Sequence, residues 1–402
     1  MALRDDASAL QDDLVRVRRD LHRHPEVGLD LPRTQRAVLD ELSGLEITLG
    51  TGLSSVTAVL RGGRPGPAVL LRADMDALPI TEATGLDYAS QVDGAMHACG
   101  HDLHTAMLIG AARLLSAHRD ELAGDVVFMF QPGEEGWNGA ARMIAEGVLD
   151  AAGQRVSSAY GMHVSSNGPA GRFGSRPGTL MAATADLTVT VRGAGAHASM
   201  PHLGLDPVTV AAEIVTSLQT MVTRRFDVFD PVVVTVGSIH AGAKSNIIPD
   251  TAVIEATVRA FSAANHARLR TEVTRLCLHI AEAHGLTAEV DYVDGYPVTV
   301  NDKQEYAFAR TVVTDVLGAD RFEPLEHPIS AAEDFSEVLD RVPGCYLHLG
   351  ASASADPATA PVNHSPRAVF DDRVLADGAL VHAELAIRAL RRHGEGERSG
   401  SG

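Results

Sequence analysis

Three stretches of uninterrupted apolar residues stand in the first half of the chain, and each runs straight into polar chemistry. Ala68-Val-Leu-Leu71 leads into Arg72-Ala-Asp74-Met-Asp76-Ala-Leu-Pro79, Val126-Val-Phe-Met-Phe130 into Gln131-Pro-Gly-Glu134-Glu135-Gly136, and Ala159-Tyr-Gly-Met162 into His163. Continuous rather than alternating hydrophobicity marks strands covered on both faces. With helical stretches between them, the runs read as successive βαβ units of a parallel sheet. Apolar residues at helical spacing predict helices over residues 6–23, 32–43 and 105–118. In open sheets of this kind ligands bind beyond the carboxyl ends of the strands. Asp74, Asp76, Glu134, Glu135 and His163 all fall there.

From about Leu180 the pattern changes to alternation, as in Leu187-Thr-Val-Thr-Val191. Strand, helix, strand, strand, helix, strand follow in turn over residues 187–292, the order of a split βαβ, ferredoxin-like module. We therefore expect an inserted α+β domain over residues 178–294, with residues 1–177 and 295–402 forming one discontinuous α/β domain. Its sheet is expected to be mostly parallel with helices on both faces. The second part should carry a helix over 305–317, another starting near Glu333, a strand over 345–349, and a final helix over 375–391 before a disordered tail over 394–402. The loop 350–361 delivers Val362-Asn-His364-Ser-Pro366.

Composition narrows the partners. A chain of 402 residues exceeds what one core usually supports, and 45% apolar residues suffice to build two. With 34 Lys+Arg against 52 Asp+Glu the net charge is −18, which repels nucleic acid and anionic lipid and favours a small-molecule partner. The first residues, Met1-Ala-Leu-Arg-Asp-Asp, show no basic-then-apolar leader, and no apolar run approaches the roughly 18 residues of a membrane helix. Three distant cysteines, Cys99, Cys277 and Cys345, argue against a disulfide framework. The expected location is the cytoplasm.

The densest chemistry lies in Met96-His-Ala-Cys99-Gly-His101-Asp102-Leu-His104. Alone, a loop cysteine or histidine is usually a solvated or satisfied residue, and paired glutamates are usually a surface feature. Their joint placement at strand ends is what singles them out. Thiolate, imidazole and carboxylate are ligands of zinc-type metals, and Cys99, His101, Glu135, His163 and His364 are the candidates. Five ligands exceed what one catalytic zinc uses, so a dinuclear site is expected. Of the adjacent carboxylates, one can hold metal while the other takes a proton from water; Glu134 is assigned as base and Glu135 as ligand. Asp76 joins the catalytic set as the residue orienting a ligand, whereas Asp74 is equally well explained as a turn former. Asp102 is expected to cap the following helix, with His97 and His104 supporting the ligands. The glycines Gly100, Gly133 and Gly136 do not form a phosphate loop, since no Lys-Ser/Thr follows.

Arg72-Ala-Asp-Met-Asp-Ala-Leu-Pro-Ile80, Met96-His-Ala-Cys-Gly-His-Asp-Leu-His-Thr-Ala106, Phe130-Gln-Pro-Gly-Glu-Glu-Gly136, Gly161-Met-His163 and Asn363-His-Ser-Pro366 together resemble the amidohydrolases of the aminoacylase, hippurate hydrolase and auxin-conjugate hydrolase group. That group belongs to a dinuclear metallopeptidase family that also holds carboxypeptidases and dipeptidases. The likeness runs from about Leu21 to Arg391. It implies the same five ligands and the same base, and it makes the insert a lid or dimerisation domain, hence a homodimer. By the same likeness His197, in Gly193-Ala-Gly-Ala-His197-Ala-Ser-Met-Pro201, would stabilise an oxyanion, with His202 a weaker candidate. Asn246 and Arg259 would hold the substrate carboxylate. The chain departs from the family at Ile329-Ser-Ala-Ala-Glu-Asp-Phe335 and at Asn363-His-Ser-Pro366, both near the expected acyl pocket. The implied activity is hydrolysis of the amide of N-acyl amino acids with two divalent ions, zinc first, with manganese, cobalt or nickel as substitutes. A carboxypeptidase or dipeptidase would use the same machinery. A metal-free cysteine hydrolase using Cys99 as nucleophile would leave the other ligand-type residues unexplained.

Overall fold

The computed structural model describes residues 2–400, which divide into two compact units. One runs to Leu180 and resumes over Val300–His327 and from Asp334 onward; the other comprises Met181–Thr299 with Pro328–Glu333.

The first unit is built on an eight-stranded sheet: β1 Glu46–Leu49, β2 Val56–Leu60, β3 Arg64–Asp74, β4 Ala123–Gln131, β5 Val156–Ser165, β6 Phe173–Ser175, β7 Phe322–Pro324 and β8 Gly344–Gly350. In space the order is β1-β2-β4-β3-β5-β8-β6-β7. The four central strands β4, β3, β5 and β8 are mutually parallel, whereas β1 and β2 pair antiparallel at one side. The expected mostly parallel α/β sheet is thus observed.

Each apolar run supplies two faces at once. Val69, Leu71, Phe128, Phe130, Met162, Val164, Leu347 and Leu349 join one core with the long helices, His101–Ala117 and Leu375–Gly400 among them. The intervening residues, Arg72, Gln131, Gly161, His163, Tyr346 and His348, alternate to the other side, where the short helices Gly139–Ala145 and Ser336–Leu339 lie. From β3 the chain crosses to β4 on one side of it and then returns to β5 on the other. The connection order therefore reverses beside β3, and such a switch opens a crevice at the carboxyl ends of β3 and β5.

The second unit is a four-stranded antiparallel sheet, ordered Val232–Ala241, Thr251–Ala260, Ala183–Arg192, Thr287–Asp294. The helices Pro207–Arg225 and Ala263–Ala283 bury Val210, Ile214, Leu218, Leu269 and Val273 against one face of it. Side-chain oxygens of Asp206 and Ser262 cap them, accepting from the Val208 and Asn265 amides. Chain order and spatial order together are ferredoxin-like.

Several local expectations need correction. The helix after the Cys-Gly-His stretch begins at His101, not Thr105, so Asp102 lies inside its first turn and is not the cap; the capping position is Gly100. Asp74 ends β3 and forms no turn. The region near Glu333 yields only the short helix Ser336–Leu339. The N-terminal helix is interrupted, running Ala2–Ala9 and Gln11–Arg23. The final helix continues to Gly400 through the segment expected to be disordered, whose last two residues lie outside the described ones. No helix among the described residues is long and apolar enough to cross a membrane.

Candidate metal centre

Gly100 sets the local geometry from which the site is built. Its φ of 84° is left-handed, and a Cβ there would stand 2.3 Å from Cγ2 of Val164. Only glycine fits, and the sharp turn lets Cys99 and His101 point to the same place from either side of it.

Ligand atoms of three overlapping groups approach within 4.8 Å of one another: Cys99, His101 and His163; Cys99, Glu135 and His364; His101, Glu134 and Glu135. The fold therefore gathers all five expected ligands and the expected base, from residues 99 to 364 in the chain, at the mouth of the β3–β5 crevice. Cys99 Sγ lies 3.3 Å from His163 Nε2, and His364 Nε2 lies 3.1 Å from Glu135 Oε1.

Backbone carbonyls decide which nitrogen each imidazole offers. His101 Nδ1 donates to the Asp76 carbonyl at 2.9 Å, and His163 Nδ1 donates to the Val164 carbonyl at 2.7 Å. Each Nε2 is then the nitrogen turned to the cluster, and that of His101 is buried without a hydrogen-bond partner. His104 is different. Its Nδ1 bonds Asp74 Oδ1 at 2.5 Å while its Nε2 accepts from the Val164 amide at 2.8 Å, so both nitrogens are used. Asp74, bonded also by Arg72 at 2.6 Å, is an internal anchor.

Asp76 works through both its carbonyl and its carboxylate. The carbonyl holds His101, while Oδ1 and Oδ2 accept the amides of Glu134 and Glu135 at 3.0 and 3.1 Å. One residue thereby fixes ligands from two loops. Asn363, the residue before His364, performs a similar task. Its Nδ2 donates to the carbonyls of Cys99 and Val164 at 3.2 and 3.0 Å, and its Oδ1 accepts from the Ser166 amide at 2.9 Å. The only signal that could have found it is its position beside His364, whose φ of 68° is itself left-handed.

The electrostatics fit a divalent cation. Burial alone would push the Cys99 thiol up, but His163 and His101 hold it well below the ordinary thiol range. Burial would lower His163, yet the Cys99 thiolate raises it to about 9. Hydrogen bonding to Cys99 and Glu135 raises His364 to about 10. The imidazoles thus gather protons to balance anionic donors, and the same charge demand is met by a metal ion with sulfur, nitrogen and oxygen ligands. The orphaned Nε2 of His101 and the mixed donor set both fit such an ion.

Beneath the centre, Arg72 spans Asp74, Gln131, Tyr346 and Asp334, with Asp334 also accepting from Gln131 and the Ala140 amide. A second buried group ties Asp102 to Arg18 at 2.8 Å and to His22 at 2.7 Å. His97, beside it, has both ring nitrogens buried and unpartnered, and burial lowers its pKa to about 3.

The remaining candidates lie in the second unit. His197 pairs with Ile247 across two short strands, and the Ala198 amide donates to the Asn246 carbonyl, so His197 and Asn246 are neighbours. The Ser199 amide donates to His197 Nδ1 at 3.1 Å, which leaves the proton on the exposed Nε2. Arg259 is half-buried and bonds Thr257 Oγ1 and the Val258 carbonyl; burial lowers its pKa against the opposing effect of Asp186. His202 sits exposed in the short turn Pro201–Leu203.

Residues 70–388 match the family model "Peptidase family M20/M25/M40". The chain is 36% identical over 96% of its length to Thermostable carboxypeptidase 2 of Saccharolobus solfataricus, covering 98% of it. It is 36% identical over 95% of its length to N-acetyl-L-cysteine deacetylase of Bacillus subtilis, covering 89% of it. Among solved structures, a dinuclear metal binding peptidase from the M20 family of Bacillus subtilis superposes with a TM-score of 0.82 at 33% identity, over 96% of this chain and 99% of that one. The chain belongs to peptidase family M20/M25/M40.

Proposed function

We propose that this protein hydrolyses the amide bond of N-acyl amino acids, releasing a carboxylic acid and a free amino acid, with two divalent ions held by Cys99, His101, Glu135, His163 and His364. The observation that carries the reading is the convergence of all five donors with Glu134 in one cluster, with the tautomers of His101 and His163 set by carbonyls. The likeness to an N-acetyl-L-cysteine deacetylase supports the substrate class. The thiolate of Cys99 makes zinc the preferred ion, with manganese, cobalt or nickel able to substitute.

Bound there, divalent ions would polarise the amide carbonyl and acidify a water. Glu134 accepts the proton of that water, and the bond from its backbone amide to Asp76 fixes the main chain from which its side chain starts. It then returns the proton to the departing amine. His197, with its proton on Nε2, is the donor for the oxyanion, and Asn246 and Arg259 bind the substrate carboxylate from the lid. The lid is also the surface through which we place a homodimer. Three unpaired thiols agree with a reducing, cytoplasmic setting.

A second reading, carboxypeptidase or dipeptidase, is favoured by the likeness to Thermostable carboxypeptidase 2. Chelation and metal add-back across a panel of N-acyl amino acids and dipeptides decides between them, the acyl amino acids being expected to turn over faster. Glu134→Gln should keep its metal and lose ~10²–10⁴-fold in kcat. Near-normal turnover by that variant would remove Glu134 from the base role.

A further inference from the structure

His348 belongs to no hydrogen-bonding arrangement described above, yet it stands beside the candidate metal centre. The parallel register of β8 on β5 sets His348 directly opposite His163. The two rings lie 5.9 Å apart between centroids at 32° to one another, so both imidazoles rise from the same face at the same level of the sheet. Tyr346, two residues earlier on that face, stacks edge-on to His348 at 6.0 Å and tilts against Phe335 at 5.4 Å. Room for these rings exists because position 161 is glycine: a Cβ there would stand 2.9 Å from Tyr346 Cε2.

His348 Nε2 is buried and has no hydrogen-bond partner. An imidazole presents one N–H donor and one lone pair when neutral, so a hydroxyl or N–H can complete it. Buried polar nitrogens are almost always bonded, and one left open beside a reaction centre invites a ligand atom. Its neighbours on the sheet face are Tyr346, tied to Arg72, and His163, turned toward Cys99, so neither satisfies it.

We propose that His348 hydrogen-bonds the acyl half of the substrate, selecting acyl groups that carry a hydroxyl or N–H close to the scissile carbonyl. The inference rests on the amidohydrolase reading for the word acyl, and on geometry alone for the bond. A carbonyl seated at the centre beside His163 has its next few atoms within reach of the His348 ring. An apolar acyl group there would bury Nε2 against carbon, whereas a polar one completes its hydrogen bond.

The test compares phenylacetyl with the three ring-hydroxylated phenylacetyl groups. Each is presented as the N-acyl methionine for kcat/KM and as the free acid for calorimetric binding to the zinc-loaded protein. Wild type should favour at least one hydroxylated isomer by ~10-fold or more in both measurements. His348→Phe should bring that ratio to about one with zinc content unchanged, and His348→Gln, which keeps a donor and an acceptor, should restore part of it. If wild type shows no preference, or if His348→Phe lowers all substrates equally or leaves the preference intact, the proposal is wrong. Binding of the acids with a His348-dependent preference, but no hydrolysis of any amide, would instead sustain His348 and overturn the amidohydrolase reading.

Discussion

Asp76 is the residue on which the arrangement of the centre depends most, because it serves His101 with its carbonyl and both glutamate amides with its carboxylate. Removing outer partners of this kind typically costs 10–100-fold in metal affinity. Asp76→Ala should therefore lower zinc affinity by ~10–100-fold while the protein stays folded, as read by competition with a chromophoric chelator. Unchanged affinity would show that the loops hold their shape without it. At this scale the sequence was informative about residue type and silent about which atom does what. Cys99, His101, Glu135, His163 and His364 are legible as candidates because they are strong ligand types, Glu135 and His163 at the ends of apolar strands and the others in dense polar motifs. That His104 is spent on Asp74 and the Val164 amide, while His101 Nε2 stays without a partner, depends on which groups each ring meets, and no local pattern encodes that. The role of Asn363 is hidden in the sequence for the same reason: its work is to join three segments distant in the chain.

Among the elements, the helix His101–Ala117 starts four residues before the position its sequence suggests. Small and polar residues at its beginning read as loop, but in the structure His101, Asp102, His104 and Thr105 are buried and bonded. Tertiary partners stabilise the first turn that propensity alone would leave open. Gly100 is the hinge of this element. Gly100→Ala forces a non-glycine residue to φ 84° and pushes its Cβ into Val164. A loss of ~1–3 kcal/mol in urea denaturation is expected, with weakened zinc binding because Cys99 and His101 flank the turn. If both properties survive, the turn is less constrained than its geometry implies. The parallel strands were easier to read, since burial on both faces writes itself into continuous apolar runs. The alternation of Leu187–Val191 was equally plain, since only one face of that sheet is covered by helices.

Across the whole catalytic unit, the N-terminal helix Gln11–Arg23 is tied under the metal centre by a buried ion pair. Burial alone would raise the pKa of Asp102, but Arg18 and His22 hold it far below the carboxylate range. A depressed folded value means that the pair contributes stability at every pH above the unfolded Asp pKa of ~3.9 and loses it as pH falls through the folded value. Arg18→Met strands the carboxylate and should cost ~3–5 kcal/mol near neutral pH, measured by chemical denaturation. The deficit relative to wild type should narrow below about pH 4, where wild type also loses the contribution. A deficit that grows with acidity would reverse the assigned sign. Nothing in the sequence marked Arg18 and Asp102 as partners, because 84 residues separate them and each also suits an amphipathic helix.

The claim that unites these scales is that five side chains, spread from Cys99 to His364, form one dinuclear centre. Elemental analysis of purified wild type and Cys99→Ser side by side tests it most directly. The account predicts close to two divalent ions per wild-type chain and a clear loss in the variant. Full and equal metal content in both, or none in wild type even after zinc is supplied, would contradict it.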